Sequence, residues 1–237
     1  MKTFYFNVQS KGGAGKSMLT YLQALKYEHD KSVAFVDLDH AVKTSSAQLQ
    51  FLALQERLFA MNIYNEYKRV DREKLFNVLE ILNKQDFSTI IIDFGATESE
   101  QLLSFLEYDF TIEEFKMFEQ ELEASFVFNV IVAGGTGYIP SLQYLKKLAE
   151  LTEGNFTIAA YANEFFFQEE EKVLINELSE FVEKTGGRIS QLRIFGKISI
   201  DTESGKAIIH HIKSGNGLES YTGYAARTII KREMQRI

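Results

Sequence analysis

Apolar and polar positions along the chain alternate between two patterns. Short runs rich in β-branched and aromatic residues occur at 3–9, 32–37, 89–93, 126–133, 156–161 and 192–200. Longer stretches with apolar residues at helical spacing occur at 16–29, 72–84, 98–105, 140–151, 168–184 and 225–236. Fully apolar short runs are what strands buried on both faces require, so the pattern predicts an α/β fold, a mostly parallel sheet flanked by helices on both faces. Residues 42–67 contain apolar positions without a clean period, and the aromatic, acidic segment 108–118 is compatible with a helix or part of one. Gly134, Gly135 and Gly137 predict a turn leading into the helix that opens near Pro140.

With one proline, no Ser- or Gly-rich linker and no internal repeat, the 237 residues are expected to form a single domain spanning 1–237. A composition of 45% hydrophobic residues is enough for a core of ordinary size. The absence of cysteine excludes disulfides, cysteine-held zinc or iron-sulfur clusters and a thiolate nucleophile. Residues 1–9 are too short and polar for a leader peptide, and no apolar run approaches membrane-spanning length, so a soluble, cytoplasmic protein is expected. A formal net charge of -7 argues against a surface broadly attractive to nucleic acid.

The strongest chemical signal is Lys11-Gly12-Gly13-Ala14-Gly15-Lys16-Ser17, between a predicted strand and a predicted helix. Polyphosphate needs its charge met at close range. Small residues let successive backbone N–H groups turn inward at the positive end of a helix. Lys16 is then placed to reach β- and γ-phosphate oxygens, and the Ser17 hydroxyl to ligate Mg²⁺. The apolar run Thr89-Ile90-Ile91-Ile92-Asp93 ends in a carboxylate, the arrangement that holds a magnesium-bound water beside the loop serine.

Ser10 stands where the general Walker A pattern has glycine, and Lys11 adds a second lysine at the start of the loop. This sequence resembles the deviant Walker A motif of the ParA/MinD superfamily of P-loop ATPases. The resemblance implies binding of ATP or ADP with Mg²⁺, the nucleotide lying along Gly12, Gly13, Ala14, Gly15, Lys16, Ser17 and Met18. It also implies that Lys11 reaches the nucleotide of a second subunit, in a nucleotide-dependent homodimer. Asp37-Leu38-Asp39 is similar to the family's Asp-x-Asp motif, which gives Asp39 the attacking water and Asp37 a place near the magnesium. Here His40 follows, where the family has proline or a small residue. Gly95 takes the place of a γ-phosphate sensor, and Asn163, after a late strand, that of the residue that reads adenine.

Asp93-Phe94-Gly95-Ala96, Val132-Ala133-Gly134-Gly135, the strand ending in Asn163 and Thr202-Glu203-Ser204-Gly205-Lys206 look most like the plasmid transfer and stability ATPases of the TraL/StbB type. That likeness implies slow ATP hydrolysis in plasmid maintenance, partition or conjugal transfer, with a protein partner from such a system. A small-molecule kinase or ligase with the same loop, and a nucleotide-binding scaffold without hydrolysis, are the competing readings. Arg227, Lys231, Arg232 and Arg236 fall within about three turns of a predicted helix and suggest nonspecific DNA contact or a solvated face. Ile229, Ile230 and Met234 make too small an apolar patch for a membrane helix. His210 and His211 are adjacent and so cannot chelate one ion as an i, i+4 pair would; they read as structural. Phe165-Phe166-Phe167 and Tyr108-Asp109-Phe110 read as core or interface.

Overall fold

A computed structural model of the chain describes residues 1–38, 44–67, 69–167 and 171–237. Seven strands form one sheet: β1 Lys2–Val8, β2 Val33–Asp37, β3 Leu58–Ala60, β4 Thr89–Asp93, β5 Ala124–Val132, β6 Thr157–Asn163 and β7 Gln191–Phe195. Their order is β3-β2-β4-β1-β5-β6-β7, and every pairing is parallel. The helices are α1 Lys16–Lys26, α2 Thr44–Gln48, α3 Arg72–Asn83, α4 Ala96–Tyr108, α5 Ile112–Glu121, α6 Tyr138–Thr152, α7 Glu171–Lys184, α8 Glu203–Lys213 and α9 Tyr224–Arg236.

Alternation along the strands divides the interior in two. Phe4, Phe6 and Val8 of β1 enter the core under α3 to α7, where Phe115, Phe126 and Phe156 pack with ring centroids 5.3–6.2 Å apart. Tyr5 of β1, Phe35 of β2 and Ile91 of β4 face the other way, toward α1, α8 and α9. Parallel strands buried on both faces account for the unbroken apolar runs of β2 and β4.

Five predicted strands reappear within two residues at either end, and the sixth, 192–200, stops at Phe195. There Gly196 takes a positive φ of 86°, which turns the chain out of the sheet. The helix predicted at 98–105 runs from Ala96 to Tyr108, and the one expected near Pro140 starts at Tyr138, with Pro140 in its first turn where its missing N–H costs nothing. The aromatic segment 108–118 leads into α5, whose Thr111 and Glu114 make a reciprocal capping box. Tyr108 itself stays exposed, while Phe110 packs on Phe76 and Phe105. The aperiodic stretch 42–67 contains α2, a 3-10 turn at Gln50–Gln55 and the short strand β3 at the sheet edge.

β1 lies between β4 and β5, and the connection from β1 leads to β2, two strands away. Crossovers therefore depart to opposite sides around the carboxyl end of β1. In open α/β sheets that crevice is where ligands collect.

Candidate functional site: a phosphate loop and two strand-end carboxylates

β1 runs directly into the predicted phosphate loop, and α1 begins at Lys16. Gly13 and Gly15 adopt φ of 74° and 104°, and a Cβ on Gly15 would fall 2.0 Å from Asn163 Nδ2. Glycine is thus required at position 15 by conformation and by space. Gln9 fixes the start of the loop. Fully buried, its Nε2 donates to Ile131 O at 2.6 Å and its Oε1 accepts from Lys11 N at 3.2 Å, while its main-chain N donates to Ser99 Oγ at 3.1 Å. The far side is fixed by Asn163, whose Nδ2 donates to Ala14 O at 3.0 Å and whose Oδ1 accepts from Phe165 N at 3.2 Å. Asn163 is buried against the loop, so both ends of its amide serve the backbone around the site.

Lys16 is 8% exposed and its Nζ donates to Gln9 O at 2.8 Å, folding the ammonium over the loop. Ser17 Oγ donates to Asp93 Oδ2 at 2.8 Å, and Met18 packs into the core under α1. Lys11 is exposed at the loop mouth, with its Cγ near Gly137. Gly12 has open space around it and Ala14 is buried.

Asp37 and Asp93 are paired neighbours at the ends of β2 and β4. Two serines of α2 meet them. Ser46 donates to Asp37 Oδ2 from its main-chain N at 2.6 Å and from its Oγ at 2.7 Å, and the Ser45 hydroxyl donates to Asp93 Oδ2. Burial pushes the Asp93 carboxyl up to about 6, against the opposing pull of Ser45, Lys16 and Ser17. Its second oxygen, Oδ1, is buried without a hydrogen-bond partner among the described residues. An orphaned anionic oxygen beside a serine hydroxyl and a lysine suits a hydrated divalent cation, so the residues present fit Mg²⁺. Asp39 lies outside the described residues.

The wall beside Asn163 is held by charges that the sequence patterns did not single out. Glu233 of α9 is fully buried and accepts from Gly196 N at 2.7 Å and Lys197 N at 3.2 Å. Arg236 bridges Glu233 and Glu164, at 3.2 and 2.5 Å. Arg236 therefore turns inward from the predicted basic stripe, leaving Arg227, Lys231 and Arg232 exposed. Phe167 is core, and Phe165 and Phe166 are half-buried. His210 and His211 stand on α8, where His211 stacks near Tyr221 at 4.6 Å. Gly95 caps the N-terminus of α4, its carbonyl accepting from Ser99.

Gln9, Ser45, Ser46 and Glu233 are missed by motif reasoning. A glutamine just before the loop was the only local signal among them; the serines follow an aperiodic stretch, and Glu233 interrupts a run of cations.

No protein-family model matches the sequence, and no curated protein matches it with significance. Solved structures do match the fold. The MinD cell division protein of Aquifex aeolicus superposes with a TM-score of 0.55 at 14% identity, over 100% of this chain and 96% of that one. The MinC:MinD cell division protein complex of the same organism gives 0.52 at 12%, over 100% and 95%. A nucleotide-binding protein in complex with ADP from Archaeoglobus fulgidus gives 0.50 at 12%, over 99% and 90%. The chain has the P-loop fold of these proteins. Among the described residues, no helix is long and apolar enough to cross a membrane.

Proposed function

We propose that the chain is an ATP- and Mg²⁺-dependent ATPase switch that pairs with a second copy across its nucleotide. The observation that carries this reading is the conjunction at the loop: Ser17 Oγ on Asp93 Oδ2 at 2.8 Å, with the other oxygen of that carboxylate buried and unpartnered. The ADP complex of a protein with the same fold supports a nucleotide as the ligand.

In this reading the loop N–H groups and the start of α1 take the phosphates, and Lys16 swings from Gln9 O onto the β- and γ-phosphate oxygens. Ser17 and Asp93 hold the magnesium and its waters, with Asp37 next to them. When bound, the ion neutralises charge developing on the transferred phosphoryl group. Asn163 keeps the loop seated and presents the wall against which the base lies. Asp39 orients the attacking water. Lys11, exposed at the mouth, reaches the nucleotide of the partner copy. Phosphoryl transfer depends mainly on positioning and charge, so a modest turnover coupled to assembly is the expected behaviour. The same reading assigns a protein partner and a role in plasmid maintenance, partition or conjugal transfer, supported by the resemblance of the loop and of the later motifs. The MinC:MinD complex shows one protein of this fold assembled with another protein.

The test is the mass in solution with ADP, with ATP and Mg²⁺, and with ATP and Mg²⁺ for Lys11→Ala. A dimer formed only with ATP and lost in the variant is expected. A mass indifferent to nucleotide overturns the switch. Turnover stimulated by a small carboxylate substrate would then assign a kinase or ligase, and nucleotide binding without turnover a scaffold.

A further inference from the structure

Two consecutive side chains of α2 meet two neighbouring strand ends. Asp37 and Asp93 are register partners on β2 and β4, and residues 45 and 46 span the gap between them. Ser46 fixes α2 on Asp37, whose Oδ2 accepts from both its main-chain N and its hydroxyl, at 2.6 and 2.7 Å. Behind α2 the chain is wedged against the turn that follows α8. There Phe51 N donates to Gly215 O at 3.2 Å, and a Cβ on Gly215 would fall 2.4 Å from Ala47 O. Held on both sides, α2 carries Ser45, which is 1% exposed, onto Asp93.

The donors around the Asp93 carboxylate are unevenly shared. Oδ2 accepts from Ser17 Oγ at 2.8 Å and from the Ser45 hydroxyl, while Oδ1 is buried and has no hydrogen-bond partner among the described residues. Each carboxylate oxygen has room for about two donors, and the terminal torsion of an aspartate is soft, so an unrestrained carboxylate turns to share its donors between both oxygens. Two hydroxyls on one oxygen, brought by two different helices, prevent that turn. They keep the other oxygen bare, as an acceptor for a hydrated cation must be. The two hydroxyls differ in what else they do. Ser17 belongs to the phosphate loop and is itself a candidate metal ligand, whereas Ser45 comes from α2 and only restrains the carboxylate.

We infer that Ser45 is a positioning residue for the metal: its hydroxyl holds Asp93 Oδ2 so that Oδ1 stays free for the cation and its waters. The inference rests on the nucleotide reading, since the cation is the one that accompanies the phosphates. Groups that orient a ligating carboxylate typically change metal affinity by about 10–100-fold when removed.

Manganese, whose electron-spin resonance signal is lost on binding, serves as the probe in place of magnesium. The dissociation constant of Mn²⁺ from the ADP complex of the full chain is measured for the wild type, Ser45→Ala and Ser45→Cys, beside the dissociation constant of ADP in EDTA. Mn²⁺ affinity is expected to fall about tenfold or more in both variants, with ADP affinity in EDTA kept within about twofold. Cysteine preserves the volume and gives up the strong donor, so it decides the matter should the alanine variant not fold. Unchanged Mn²⁺ affinity overturns the inference and leaves the nucleotide reading standing. Tighter Mn²⁺ binding would show that the hydroxyl competes with the ion, and an equal loss of ADP affinity in EDTA would make Ser45 a structural prop; either result overturns it. Absence of ADP binding to the wild-type chain overturns the nucleotide reading itself, and this inference with it.

Discussion

Asp93 shows the tension between stability and function within a single side chain. Its carboxylate is buried between Ser17 and Ser45 with one oxygen unpartnered among the described residues, and burial lifts its folded pKa to about 6, above the ordinary range of an aspartate. A group with a raised folded value binds its proton more tightly in the native state. Its contribution is therefore most favourable below the unfolded value and is lost as pH rises from about 4 to about 6. Asp93→Asn removes the charge and keeps the shape. In metal-free protein at pH 7 it should raise the melting temperature, by a gain on the order of 1–3 kcal/mol. The gap to the unmodified chain should close as pH falls from 6 to 4. Calorimetry across that range checks this, and an unstabilised variant at pH 7 would show that the buried charge is already compensated. Magnesium-dependent nucleotide binding should be lost in the same variant.

At the scale of elements, α1 is fixed at both ends by groups from distant parts of the chain. Gln9 and Asn163 seat its beginning, and Arg57 holds its end. That guanidinium is 2% exposed and donates to Tyr27 O, Glu28 O and Val33 O, all at 2.7 Å, with Gln55 Oε1 at 2.8 Å. A cation on the last carbonyls of a helix satisfies orphan acceptors and complements the dipole. Arg57→Ala should cost about 2–4 kcal/mol in urea unfolding, because the buried carbonyl of Val33 and the half-buried carbonyls of Tyr27 and Glu28 lose their donor. Arg57 illustrates where sequence reading stopped. The apolar runs of β2 and β4 and the glycines of the loop carry local physics, so strands, loop and the Asp93 carboxylate are visible without coordinates. Arg57 and β3 sit in a stretch whose periodicity is broken by edge exposure, and their roles come from partners far along the chain. Asn163 was visible as a polar residue at a strand end, whereas its contact with Ala14 O depends on how β6 abuts the loop. Ser45 and Ser46 gain meaning only once α2 folds back on the two carboxylates.

Across the whole molecule, the site is assembled from elements about two hundred residues apart, α1 and α9. Lys16 and Ser17 belong to the first helix, while the wall beside Asn163 is pinned by Glu233 and Arg236 of α9. Glu233→Ala strands the backbone donors of Gly196 and Lys197 and leaves Arg236 with Glu164 alone, at a cost of about 1–3 kcal/mol for the unsatisfied donors. It should also weaken nucleotide binding, although residue 233 lies outside the loop. Urea unfolding and nucleotide titration of the same variant check both effects, and unaltered affinity in a destabilised protein would separate the wall from the site. This closure also bears on how the chain matures. During synthesis the phosphate loop emerges early and its wall only when α9 docks, so a half-made chain presents phosphate-binding backbone without a complete pocket. Nucleotide would then stabilise molecules with α9 docked in preference to those without it, by mass action on the native state alone. A bound nucleotide would thus also serve as a seal on folding, available only to chains in which α9 has docked beside the loop.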